Sequence, residues 1–208
     1  MIEGRRRAAL AGHRGDEQSA REAVTDPVPA IRATSLGALA RMGKLRAKDI
    51  TSALDDPSAV VRRRACEVSV RLPEMSAAVT AGLIAALADP DPWVVESACY
   101  GLGEEGTDAT SAVSKLSDVA VDHGDALCRE AAVAALGAIA DPRGLPAILA
   151  GTTDKTAVRR RAVLALATFD GPEVDAALER AAGDRDWQVR QGAEDLRSGP
   201  PGTHEHHL

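Results

Sequence analysis

A hydrophobic position recurs along this chain at intervals of 30, 33, 34, 30 and 31 residues. The residues at this position, here called position zero, are Ile31, Val61, Val94, Cys128, Val158 and Val189. Four residues later the side chain is small in every copy: Ser35, Ala65, Ala98, Ala132, Ala162 and Ala193. A regular period of this length is typical of solenoids, in which each repeat buries its apolar face against the next one. The chain is therefore predicted to be a repeat protein.

The spacing inside each copy predicts helices. Positions zero, plus four, plus five and plus eight share one face of an α-helix, and the segments between copies, such as residues 45–56 and 75–90, also have helical spacing. Most copies open with Asp-Pro or a related pair, which indicates a helix N-terminus at the aspartate. We therefore predict an all-α fold, an α/α superhelix (solenoid) of about seven helical hairpins.

The period also predicts the domain organisation. One solenoid is expected over residues 1–197, with repeat units that start near residues 5, 26, 56, 89, 123, 153 and 184, the first of them shortened. Residues 198–208 have no periodicity and are predicted to be a disordered tail.

Composition agrees with closely packed helices, because the chain is 45% hydrophobic but only 2% aromatic. Cys66, Cys99 and Cys128 fall on the predicted core stripe without metal-ligand spacing, and we interpret them as small buried hydrophobes. No apolar run approaches the roughly 18 residues of a membrane span. The N-terminal residues lack the apolar region of a secretory signal. A cytoplasmic location without membrane contact is expected.

The order Asp-Pro, Val-Arg and a small residue four past the valine resembles HEAT repeats. More narrowly, it is similar to the short HEAT-like repeats of phycobilin lyases and of many bacterial scaffold proteins. The resemblance covers about residues 5–196 and implies that the helix carrying Val-Arg lines a concave side. It also implies an arginine ladder, in which the arginine at position plus one binds a turn aspartate. The matching aspartates are Asp26, Asp56, Asp89 and Asp184, with His123 and Thr153 standing there in two copies.

Positions minus one, plus two, plus six and plus ten point away from the core stripe. In the copy at Val94 they hold Trp93, Glu96, Tyr100 and Glu104, and Val95 replaces the ladder arginine. Aromatic side chains with flanking charges suit a protein or peptide partner, and the glutamates favour a basic group. The predicted partner-binding face is therefore the concave one, centred on Trp93, Glu96 and Tyr100. Glu104 belongs to the same face, and its flanks hold Arg63, Arg64, Arg160 and Arg161.

Other interpretations stay open. Trp93 and Tyr100 could pack between helices, and Val95 could be an apolar filler. Arginine triplets, as at residues 62–64 and 159–161, could bind nucleic acid, and HEAT-like DNA glycosylases hold DNA on a basic concave face. Glutamates interleave with these arginines and the net charge is −6, so a nucleic-acid partner is less favoured than a protein. The similarity to phycobilin lyases implies a third possibility, a lyase or chaperone for a small cofactor.

No catalytic motif is present in the sequence, whether a phosphate loop, a nucleophile elbow or a zinc-binding helix. HEAT-like hydroxylases that bind two irons use repeated His-Glu pairs, and the only such pair here is His204-Glu205. We expect no enzyme activity, no metal site and no cofactor. The expected function is that of a non-catalytic scaffold or adaptor for protein-protein interaction.

Overall fold

The computed structural model describes residues 2–198, and every regular element in that range is helical. The predicted all-α helical-repeat fold is confirmed. The α-helices are α1 (Ile2–Arg14), α2 (Glu17–Ala23), α3 (Pro29–Arg41), α4 (Ala47–Leu54), α5 (Ala59–Ser69), α6 (Ala77–Ala86), α7 (Pro92–Glu105), α8 (Val113–Asp122), α9 (Ala126–Ile139), α10 (Leu145–Gly151), α11 (Thr156–Ala165), α12 (Pro172–Ala181) and α13 (Trp187–Ser198). Short 3₁₀ segments lie at Gly106–Ala112, Pro142–Gly144 and Leu166–Thr168.

The chain forms two compact units, Met1–Glu105 and Gly106–Leu208. In the first unit, the repeat-bearing helices α1, α3, α5 and α7 pack side by side, and α2, α4 and α6 pack against them. In the second unit, α9, α11 and α13 pack side by side, and α8, α10 and α12 pack against them. A single solenoid over residues 1–197 stays a prediction. Within residues 2–198, the repeat unit that starts near residue 184 contributes only its first helix, α13.

The tail predicted for residues 198–208, including its histidines, lies outside the described residues except for Ser198. Among the helices of residues 2–198, none combines the length and the apolar character that a membrane span requires.

Small side chains bring the repeat-bearing helices close together. All six residues at position plus four are 0% exposed, and no residue at position zero exceeds 6%. Ser35 satisfies its buried hydroxyl by donating to the carbonyl of Ile31 at 2.9 Å. A methyl group at Gly137 would lie 2.7 Å from Cβ of Ala165, so this position of α9 has no room for a side chain beside α11. All three cysteines are buried, as predicted.

The prediction that the turn aspartate starts the helix is wrong. The repeat-bearing helices begin three residues later, at residues 29, 59, 92, 126, 156 and 187. The aspartate instead closes a turn: Oδ1 of Asp56 accepts from the backbone N–H of Ser58 at 2.8 Å. His123 takes the same role in its copy, because its Nδ1 accepts from the backbone N–H of Asp125 at 3.1 Å.

The arginine ladder is present in both units. Four of the five arginines at position plus one bind the aspartate of the next turn with two N–H groups and a carbonyl oxygen of their own turn with a third. The fifth, Arg190 in the last copy, donates to the carbonyl of Asp184 at 2.8 Å and forms no ion pair within residues 2–198. The pairs are Arg32–Asp56, Arg62–Asp89, Arg129–Asp154 and Arg159–Asp184. In the copy at Val158, the turn position predicted for the ladder holds Thr153, which has no carboxylate. The ladder carboxylate comes instead from Asp154, one residue later. The ladder therefore ties each repeat to the next one within a unit.

Candidate functional site

The central residues of the predicted face lie on α7, on the side turned away from the core. Asp91 precedes the helix, and its Oδ1 accepts from the backbone N–H of Trp93 at 2.9 Å. Trp93 is 52% and Tyr100 47% exposed, so the packing of these rings between helices, which the sequence left open, is not what the structure shows. The two residues are seven positions apart on the helix, so their side chains point within about 20° of the same direction and lie about 10 Å apart along the helix axis. The chain has two tryptophans, one tyrosine and one phenylalanine, so half of its aromatic residues lie exposed on this one helix.

Arg63 of α5 covers one side of Trp93. Its Cζ atom lies 5.2 Å from the centroid of the Trp93 ring, a distance at which a guanidinium is attracted to an aromatic face. The Nε of Arg63 also donates to Glu67 at 2.8 Å. Arg64 approaches the other oxygen of Glu67 at 2.8 Å. Both predicted arginines are thus bound to one carboxylate of their own helix, and Arg63 holds the tryptophan ring in place.

Glu96 and Glu104 are the two of the three glutamates of α7 that belong to the predicted face. Glu96 is half-buried and accepts from the Ser97 hydroxyl at 3.3 Å, while Glu104 is exposed. Among the ion pairs of residues 2–198, none involves either carboxylate. We define Val60, Arg63, Arg64, Glu67, Trp93, Glu96, Tyr100 and Glu104 as the α5/α7 surface. It carries two arginines and three carboxylates, and therefore an excess of negative charge.

Val95 explains the missing ladder arginine of this copy. Its side chain is 0% exposed, so the position holds a buried apolar group, as the filler interpretation proposed. The ladder has two pairs in each unit, and Val95 lies in the last repeat-bearing helix of the first unit. The missing ladder arginine is thus explained by burial at position 95. The aromatic residues lie on the opposite, exposed side of α7 and need a separate explanation.

The remaining predicted residues, Arg160 and Arg161, lie on α11 of the second unit. Arg160 donates from Nε to Asp186 at 2.9 Å, and this hydrogen bond is the main reason why the pKa of Asp186 falls to about 2. Asp186 also accepts from the backbone N–H of Val189 at 3.2 Å, so it caps the start of α13. Arg161 is more loosely held, with Nη2 at 3.6 Å from Glu130.

Sequence analysis missed Trp187, which is 63% exposed and lines a groove with both of these arginines. It stands at position minus two, one residue before the outward positions that were considered. The available signal was its identity as one of two tryptophans in the chain, directly after an Asp-Pro-like turn. Within residues 2–198 no group of three or more histidine, cysteine, aspartate or glutamate side chains is arranged to hold a metal ion.

Comparisons with known proteins agree with this architecture. Many solved structures share the fold, among them the following three. The complex of CpcE and CpcF of phycocyanin lyase from Nostoc sp. PCC7120 is 22% identical, with 85% of this chain and 74% of that chain covered and a TM-score of 0.63. A designed armadillo repeat protein in complex with the peptide (KR)4 is 16% identical, with 88% and 98% covered and a TM-score of 0.67. An engineered protein is 18% identical, with 88% and 97% covered and a TM-score of 0.67.

Sequence comparison assigns the family. No curated protein is significantly similar to the chain in sequence. The family model described as HEAT repeats matches residues 47–137 and 113–196, which together span most of the chain. The chain therefore belongs to the HEAT repeat family.

Proposed function

We propose that this protein is a non-catalytic scaffold or adaptor that binds a peptide segment of a partner protein on the α5/α7 surface. The observation that carries the proposal is the pair of half-exposed rings, Trp93 and Tyr100, on a helix whose glutamates form no ion pair within residues 2–198. Rigid rings contribute contact area to an interface at a low cost in side-chain entropy. Val60, which is 58% exposed, adds apolar area on the neighbouring helix.

The charges on this surface favour a basic side chain in the partner. Arg63 and Arg64 share the Glu67 carboxylate, whereas Glu96 and Glu104 form no ion pair within residues 2–198, and the surface has more carboxylates than cations. A lysine or arginine could lay its aliphatic stem against Tyr100 and place its charged end near Glu96. The face of the Tyr100 ring would attract the same cation. The preferred segment therefore combines a basic residue with an apolar one.

Structures of the same fold are compatible with this kind of partner. The designed armadillo repeat protein was solved with (KR)4, a peptide of alternating basic residues. That ligand belongs to the other protein, and the identity of 16% extends only the fold to this chain. The support for a basic peptide here comes from the unpaired carboxylates of α7.

The similarity to the phycocyanin lyase complex supports a second candidate function, a lyase or chaperone for a small cofactor. A bound pigment would give the purified protein a visible absorption band, and a colourless small molecule would appear in native mass spectrometry as a constant added mass. Either result, abolished by Tyr100→Ala, would favour this alternative over peptide binding. Nucleic acid is disfavoured at the triplets of residues 62–64 and 159–161, because their exposed arginines are bound to carboxylates of this chain.

Selection from a phage-displayed library of random dodecapeptides tests the proposal. Wild-type protein is expected to enrich peptides with lysine or arginine near a leucine or an aromatic residue. The double variant Glu96→Arg, Tyr100→Ala should bind the selected peptides at least about tenfold more weakly, which corresponds to about 1.4 kcal/mol. Glu74→Arg makes the same charge change at an exposed bend of the first unit and should bind like wild type.

Two results would contradict the proposal. Enrichment of acidic peptides would show that the charge assignment is wrong. Equal binding by the double variant and the Glu74→Arg control would place the peptide site elsewhere. Circular dichroism of each variant establishes that it is folded before binding is compared.

A further inference from the structure

We propose that the second unit carries a docking groove of its own for the same class of ligand, a peptide segment with an apolar residue and a basic residue. This inference rests on the proposed function for the class of ligand, but its residues are different. The sequence VRRRA occurs twice, at residues 61–65 on α5 and 158–162 on α11. In both cases the next repeat-bearing helix presents an exposed tryptophan in its first turn, Trp93 in one unit and Trp187 in the other.

The groove lies between α11 and α13 and has a volume of about 430 Å³. Leu164, 54% exposed, and Trp187, 63% exposed, form its apolar part. Gly192 leaves the bottom of the groove without a side chain. A methyl group there would lie 3.3 Å from Cγ1 of Val163 and 3.8 Å from Cδ2 of Leu164. The groove therefore offers a concave apolar site for a side chain, which a flat helix surface does not.

The charges along the groove match those of the α5/α7 surface. Arg160 is bound to Asp186 and Arg161 lies 3.6 Å from Glu130, so both cations are already matched by carboxylates. Asp195 accepts a hydrogen bond at 2.7 Å from Gln191, and no ion pair within residues 2–198 includes it. Two arginines again face three carboxylates. The carboxylate without a cation, Asp195, selects a basic side chain.

The helix geometry sets the spacing of the ligand. Trp187 and Asp195 are eight residues apart on α13, which is about 12 Å along the helix axis. An extended peptide advances about 3.3 Å per residue, so its apolar anchor and its basic residue would stand three or four positions apart. The stem of the basic side chain would lie along the apolar part of the groove while its charged end reaches Asp195.

The two tryptophans allow each site to be observed separately in the full chain. In Trp93→Phe the remaining Trp187 reports on the groove, and in Trp187→Phe the remaining Trp93 reports on the α5/α7 surface. The probe is the amidated peptide acetyl-GLGSRGLGSRG, with acetyl-GLGSEGLGSEG as its acidic counterpart. Titration of Trp93→Phe with the basic peptide is expected to change the Trp187 emission with saturation below about 2 mM, a Kd within reach of a few favourable contacts.

A charge reversal tests the assigned contact. Adding Asp195→Lys to Trp93→Phe should weaken the basic peptide at least tenfold, whereas Glu179→Lys, at an exposed position near the end of α12, should leave its affinity unchanged. Tighter binding of the acidic peptide, or equal effects of the two lysine variants, would overturn the inference.

The reporters distinguish failure of this inference from failure of the proposed function. A response from Trp93 alone would leave the proposed function standing and overturn the second groove. A response from Trp187 alone would support the groove and remove the α5/α7 surface as the binding site. Silence of both reporters toward the basic peptide would overturn both proposals.

Discussion

Replacement of Arg159 by leucine tests whether the arginine ladder stabilises the fold. Arg159 is 6% exposed. Its Nε and Nη2 donate to Asp184 at 2.8 and 2.9 Å, and its Nη1 donates to the carbonyl of Asp154 at 2.9 Å. Arg159→Leu keeps an apolar stem but leaves the Asp184 carboxylate without its cation and the carbonyl without its donor. These groups were desolvated by folding, so their loss of partners is costly.

The expected loss of stability is about 3 kcal/mol. Removing one member of a buried ion pair destabilises proteins by about 3–5 kcal/mol, and the side chain of Asp184 keeps 15% of its exposure, which lets water replace part of the lost bonding. Arg161→Leu is the matched control on the same helix. The Arg161 side chain is 45% exposed and lies 3.6 Å from Glu130, so its loss should cost less than about 1 kcal/mol.

Urea unfolding of the Trp93→Phe protein provides the assay, because the fluorescence of Trp187 then reports on the unit that contains Arg159. With a slope of about 3 kcal/mol per molar urea, Arg159→Leu should lower the midpoint by about 1 M and Arg161→Leu by less than about 0.3 M. Equal shifts would refute a structural role for the ladder pair. An increase in stability for Arg159→Leu would show that desolvation outweighs the pairing.

The same pair predicts a dependence on pH. The hydrogen bond from Arg159 lowers the pKa of Asp184 in the folded state below its ordinary value. A lowered folded pKa means that the stabilisation is present above the unfolded pKa of about 3.9 and is lost as the pH falls through the folded value. The stability difference between wild type and Arg159→Leu should therefore be constant from pH 5 to 7 and shrink below about pH 4. A difference that grows on acidification would contradict this account.

Three further predictions concern helix packing, backbone conformation at the end of α9, and the reactivity of a buried thiol. Gly137→Ala should lower the stability of the protein by about 1 kcal/mol, because the clash of the new methyl group with α11 exceeds the gain in helix propensity. A methyl group at Gly37 would meet no atom of the described residues within 4 Å, so Gly37→Ala should raise the stability by up to about 1 kcal/mol. Thermal unfolding measures both variants, and equal effects would contradict the close contact at Gly137. Ala140 ends α9 with a φ of 56°, so Ala140→Gly should raise the Tm, and a lower Tm would argue against strain there. Burial raises the pKa of the Cys66 thiol to about 12, so it should not react with a thiol reagent at pH 8 until urea unfolds the chain; rapid labelling of the folded protein would contradict its burial.

The core was predictable from the sequence because every repeat solves the same packing problem. A small side chain at position plus four is needed wherever two repeat-bearing helices approach, so the pattern recurs and can be recognised. Ser35 fits the same rule, since its hydroxyl bonds to its own helix and needs no partner elsewhere. The ladder was predictable for the same reason, as one arginine position and one turn recur together.

The turns were less predictable because alternative residues can supply the same hydrogen bond. Asp154 completes the ladder from one position later than expected, and His123 closes its turn with a ring nitrogen in place of a carboxylate. Sequence reasoning compared residue types at fixed positions and so missed both substitutions. Trp187 was missed for a related reason: the helical-wheel positions did not include the first residue of α13, whose direction is set where the chain leaves the turn.

The charge of the candidate sites was the part that sequence could least anticipate, and the arginine triplets show why. Consecutive helical residues point about 100° apart, so three adjacent arginines face three different environments. Arg159 turns inward to the ladder, Arg160 binds the aspartate that caps α13, and Arg161 remains at the rim beside Glu130. A triplet that suggests a phosphate-binding patch is thus matched by carboxylates of its own chain. At the two proposed sites, the carboxylates that form no ion pair within residues 2–198, Glu96 and Glu104 in one unit and Asp195 in the other, are the reason why a basic partner is proposed.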